Sequence, residues 1–137
     1  MTLRPRRRRR GAATVELAVL LPFLMYLAVL ATDWARLLHY TLTLNACARN
    51  GALYASDAVI ARKSQYANLQ AAAMAEAPSL TGTATVTGTP YTETDGFPGV
   101  EVNVSMPFKT ITNFPGVPAS QTISRKVRMR IAPLSTN

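Results

Sequence analysis

Three rhythms of apolar and polar residues divide the chain. Residues 12–32 form an almost continuous apolar block in which Glu16 is the only charge. At 1.5 Å per residue, its 21 residues make a helix of about 30 Å, the thickness of a bilayer's hydrocarbon core. Beyond it, Leu37, Tyr40, Leu44, Cys47, Gly51, Ala55 and Val59 recur at spacings of three and four, one stripe of an amphipathic helix. Asp33, Arg36, Asn45, Arg49 and Asn50 fall off the stripe. The stripe packs either on the protein's own sheet or on another subunit. Gly51 costs an exposed helix about 1 kcal/mol relative to alanine, so close packing is the natural reason for it. Residues 58–77 stay alanine-rich and helix-favouring, and Pro78 reads as a stop. Unbroken helix over 12–77 would be about 100 Å long, so a kink at Pro22 or a break near Ser56–Asp57 is expected.

After Pro78 the composition turns to Thr, Gly, Val and Pro, and the period shortens to two. Residues 83–89 read as a strand. Asp95-Gly96 is a turn signal, followed by alternating Val100, Val102, Val104 and Met106. Residues 108–112 form a weaker third strand, and 115–118 a Pro-Gly-Val-Pro turn. Residues 122–131 form the last strand, with Val127, Met129 and Ile131 turned to the core. Four short antiparallel strands with one face to cover, and an amphipathic helix to cover it, predict a small α+β domain.

Charge changes this picture only at the N-terminus. Six of the fifteen Lys and Arg residues precede Gly11, leaving nine basic against seven acidic side chains after it. The basic character therefore belongs to a tail and is not spread over a folded face, so no nucleic-acid partner is expected. Lys126, Arg128 and Arg130 alternate on the outer face of the last strand. Such charges commonly guard an exposed sheet edge, and an acidic partner is the alternative. One cysteine, Cys47, and one histidine, His39, write no disulfide, zinc site or redox pair. Seven scattered acids form no paired-carboxylate site, and no glycine-rich loop opens a helix; no enzyme activity and no cofactor is expected.

Arg6, Arg7, Arg8, Arg9 and Arg10 set topology by the positive-inside rule, with the N-terminus cytoplasmic and everything after residue 32 exported. Trp34 and Pro22 fit this anchor: an interfacial aromatic, and a proline that membrane helices tolerate. Two processing routes remain open. An ordinary secretory signal would be cut after Ala31, releasing a binding domain, although the apolar run exceeds what such a signal needs. Alternatively the cut falls after Gly11, on the cytoplasmic side. Glycine lets extended backbone approach a protease closely, and the cut would strip the positive tail and free the amine of Ala12. Glu16 is either an acid tolerated by snorkelling or a functional intramembrane carboxylate.

A basic leader, Gly11, then Glu16 at the fifth position of an apolar helix resembles the class III signal of type IV pilins, cut by a prepilin peptidase. Pro22, Asp33 and the helix carrying Ala48, Arg49, Gly51, Ala52, Tyr54 and Ala55 narrow the resemblance to the TadE-like family, the minor pseudopilins of the tight-adherence (Tad) pilus system. It covers about the first 57 residues. Leu17 stands where the major pilins of this system carry an aromatic residue, which favours a minor subunit.

The patterning above divides the chain into a transmembrane helix over 12–32, an exported amphipathic helix over 33–77 and an antiparallel sheet region over 78–137, and the resemblance makes 1–11 a leader. It implies cleavage between Gly11 and Ala12. It further implies that Glu16 sets subunit register by pairing with the free amine of a neighbouring subunit. The implied setting is the bacterial inner membrane, with membrane lipid, a prepilin peptidase, other pseudopilins, the major pilin and an inner-membrane assembly platform as partners. Pilus initiation, tip or assembly is the implied role.

Overall fold

The computed structural model describes residues 10–80, 83–111 and 119–131. The chain is α+β: a long N-terminal helix is followed by short helices and a three-stranded antiparallel sheet packed on its second half. Helix α1 (Arg10–Ser56) runs through Pro22 without ending there. None of its most apolar window is buried inside the protein, as expected of a segment whose solvent is lipid.

The expected break comes at Asp57. Its backbone is extended (φ −133°), and its carboxylate accepts the Val59 and Ile60 N–H groups at 2.7 and 3.2 Å, capping helix α2 (Ala58–Lys63). Asn68 does the same for helix α3 (Leu69–Met74), accepting the Ala71 N–H at 2.8 Å. Helix therefore does not continue over 33–77 as expected. Two short polar side chains restart it, and Val59, beyond the break, is exposed. Pro78 opens a 3₁₀ turn (Pro78–Leu80) before the sheet.

Strands β1 (Thr85–Thr92), β2 (Pro98–Lys109) and β3 (Ser120–Arg130) lie in the order β1-β2-β3. Gly96 makes the β1–β2 turn at φ +85°, a conformation that favours glycine. In place of the separate strand expected over 108–112, residues 108–109 end β2, because the inward alternation of Val100, Val102, Val104 and Met106 continues to Phe108, and Thr110 and Ile111 lie beyond the strand. Pro107 does not interrupt it. Thr85 pairs with Ser105, so β2 at Pro107 lies past the end of β1 and keeps a neighbour on one side only. Among the described residues the sheet thus has three strands, not four. Thr112 and the 115–118 turn lie outside the described residues.

The core sits between the sheet's inner face and one stripe of α1. Leu44, Cys47, Ala48 and Ala52 meet Val100, Val102, Val104, Met106 and Phe108, closed on one side by Ala73, Met74, Ala77 and Leu80. Each fully buried Val or Leu contributes about 1.5–3 kcal/mol relative to exposure. Val127 and Met129 are half-buried against this core, but Ile131 is exposed past the end of β3, and Ile123 takes the buried place on that strand.

α1 and β2 run antiparallel. Asp33 meets Ile111, Tyr40 meets Phe108 (ring centroids 5.8 Å apart), and Gly51 faces Val102. The helix rises about 27 Å between Asp33 and Gly51, and the strand covers about 30 Å between Ile111 and Val102. The sheet axis therefore follows the helix. Its β2–β3 end lies beside Asp33, and its β1–β2 turn lies far from the apolar segment.

Candidate functional site

Gly11, Ala12 and Glu16 occupy the first turns of α1, where every residue from Gly11 onward is exposed. A Cβ built on Gly11 would meet nothing within 4 Å. Among the described residues, glycine at this position therefore meets no packing demand. Glu16 projects among exposed apolar neighbours, Val15, Leu17, Val19 and Leu20. Among the described residues, no hydrogen bond or ion pair reaches its carboxylate. Arg6, Arg7, Arg8 and Arg9 lie outside the described residues, as does the side chain of Arg10.

At the end of the apolar block the sequence reading needs correction. Asp33 falls off the amphipathic stripe, yet it is 6% exposed. Its Oδ1 accepts the Ile111 backbone N–H at 3.0 Å and faces the Arg36 guanidinium at 3.3 Å. Arg36 in turn lies over the Phe108 ring, 5.3 Å from its centroid. A charge-assisted bond of this kind is stronger than a neutral one. It fastens the end of β2 to the helix one residue past the 21-residue apolar run. Trp34, next to it, is 62% exposed.

The remaining motif residues are packing groups. Ala48, Gly51 and Ala52 are buried in the seam between helix and sheet, while Arg49 is exposed. A Cβ on Gly51 would lie 3.1 Å from Ala73 Cβ and 3.2 Å from Val102 Cγ1, so the missing side chain is what lets α1, α3 and β2 converge. Tyr54 donates its hydroxyl to the Tyr66 carbonyl at 3.4 Å, holding the α2–α3 link to α1. Burial, with the Glu76 charge adding to it, pushes the Cys47 thiol up, away from the reactive thiolate. His39 is exposed and stacks edge-to-face on Tyr40.

The outer face of β3 is paired, not free. Glu101 on β2 meets Lys126 at 3.2 Å and Arg128 at 2.6 Å, and Arg130 meets Glu93 and Asp95, each at 2.5 Å. Hydrogen bonds from Arg128 and Lys126 hold the Glu101 carboxyl below its ordinary range. Sequence reasoning missed this network; its signal was the cross-strand alternation of acids and bases once register is known. Among the described residues, no three His, Cys, Asp or Glu side chains converge as metal ligands would.

A long apolar helix that hands over to a small antiparallel sheet defines the class: an α+β protein whose N-terminal helix is long and apolar enough to cross a membrane. The model of the TadE-like protein family matches residues 11–53, a stretch that carries the motif residues described above other than Tyr54 and Ala55. The chain's N-terminal third is thus similar to TadE-like proteins. No curated protein and no solved structure matches the chain.

Proposed function

We propose that the protein is a minor pseudopilin of a Tad-type pilus, inserted in the bacterial inner membrane, cut between Gly11 and Ala12 by a prepilin peptidase, and built into or beneath the filament. The observation that carries this reading is the division of α1 into two halves. One stripe of the half after Asp33 is buried in the protein's own core, whereas in the half before it every described side chain except the half-buried Leu30 is exposed, and Glu16 has no partner among the described residues. Such a group in lipid is costly and functional by default. The freed amine of Ala12 on a neighbouring subunit supplies the opposite charge, so Glu16 sets the axial register of assembly.

Glycine at position 11, which no packing among the described residues requires, supports the same reading: its need arises outside the folded chain. The other pseudopilins, the major pilin and the inner-membrane assembly platform are the partners this role entails. Glu16→Ala and Glu16→Gln test it by fractionation of membranes and sheared pili. Both variants should insert at wild-type levels while losing incorporation into, or support of, the filament. Normal piliation with either variant refutes the register role.

A further inference from the structure

The β2–β3 end of the sheet lies level with the point where α1 leaves its apolar segment, because Asp33 Oδ1 accepts the Ile111 N–H at 3.0 Å. Ile111 is 63% exposed there and Trp34 62%, two large apolar side chains at the same height on helix and sheet. Beside them a groove of about 400 Å³ is lined by Arg36, Tyr40, Phe108, Lys109, Ser79 and Thr83. Its charged groups are cations. Asp33, the acid at this level, is buried and already faces Arg36. The acids Glu93, Asp95 and Glu101 sit toward the opposite end, where they pair with β3. Aromatic and aliphatic groups flanked by cations, one helical turn past an apolar span, match the interfacial layer of a bilayer.

We propose that this end of the sheet is a foot that rests on the membrane, with Ile111 beside Trp34 in the interfacial layer and the Arg36–Lys109 groove holding a phospholipid phosphate. The inference rests on residues 11–32 spanning the bilayer. The sheet then has a fixed height and tilt before any partner arrives, because the Asp33 bond and the lipid contact act together. The β1–β2 turn is held away from the surface.

Tryptophan quenching in the full-length protein tests this, since Trp34 is the single tryptophan. The protein is reconstituted in vesicles of phosphatidylcholine and phosphatidylglycerol with brominated acyl chains. Three forms are compared: wild type, Trp34→Phe with Ile111→Trp, and Trp34→Phe with Phe97→Trp. Wild type and the 111 variant should lose most of their emission, and the 97 variant, on the distal turn, should keep it. Quenching of wild type without the 111 variant overturns the foot while leaving the anchor standing. An unquenched wild type overturns the anchor as well. Equal quenching of the 97 and 111 variants overturns the upright placement. Lys109→Glu, an exposed change, should weaken quenching of the 111 variant in these vesicles. Unchanged quenching removes the phosphate from the proposal.

Discussion

Filling the gap at Gly51 is the sharpest way to perturb the seam between helix and sheet. An added Cβ would stand 3.1 Å from Ala73 Cβ, 3.2 Å from Val102 Cγ1 and 3.4 Å from Leu69 Cδ1. Carbon pairs are at their best near 3.5–4.0 Å, so Gly51→Ala forces its neighbours apart by a few tenths of an ångström. Overpacking of this kind costs about 1–3 kcal/mol, against a gain of about 1 kcal/mol in helix propensity. The net expectation is a loss between zero and about 2 kcal/mol. For a domain of this size, each kcal/mol moves the melting temperature by about 4–8 °C. Gly51→Leu adds three further carbons with no space to enter, and must lever α3 or β2 off the helix. Its cooperative tertiary transition should vanish. The assay is near-ultraviolet circular dichroism of the full chain in detergent during heating, with Asn45→Leu, at an exposed position on the same helix, as control. Wild-type melting by Gly51→Leu, or stabilisation by Gly51→Ala of the full propensity gain, refutes the close approach.

Asp33→Ala should lower stability by about 1.5–3 kcal/mol, the range for a hydrogen bond to a charged group, and speed hydrogen exchange at the Ile111 amide. Asp33→Asn, which keeps an acceptor, should recover part of both; unchanged exchange in Asp33→Ala contradicts the tether. Acid should weaken the β2–β3 network. Because Arg128 and Lys126 lower the folded-state pKa of Glu101, its contribution is present above the ordinary carboxylate range and is lost as pH falls through the lower folded value. The stability difference between wild type and Glu101→Gln should therefore shrink on acidification, and a difference that grows below pH ~4 contradicts the pairing. The effect should be small and salt-sensitive, as exposed ion pairs are.

Features written in local periodicity were legible from sequence. The apolar block, the stripe from Leu37 to Ala55 (though not its last member, Val59, which is exposed) and the change to strands after Pro78 stand in the structure, because neighbours three, four or two residues apart decide them. What escaped depended on distant partners. Asp33 looked like a solvent-facing charge because the amide that buries it is 78 positions away. Residues 108–112 looked like a separate strand, but Phe108 continues β2, and only the length of β1 shows why Pro107 does not interrupt it. Asp57 and Asn68 split an alanine-rich segment through side-chain caps that outweigh propensity. Glu16 stands out in the sequence as the lone charge of the apolar block, and Gly11 by its place five residues before it. The fold adds that neither serves packing among the described residues.

The reading of α1 as a processed assembly helix turns most directly on the mature N-terminus. Intact-mass measurement and N-terminal sequencing of the membrane-extracted protein, from cells that contain a prepilin peptidase, should find Ala12 first. Gly11→Leu should leave the basic leader attached. A mature chain beginning at Thr32, or a full-length chain in cells with active peptidase, would contradict the account.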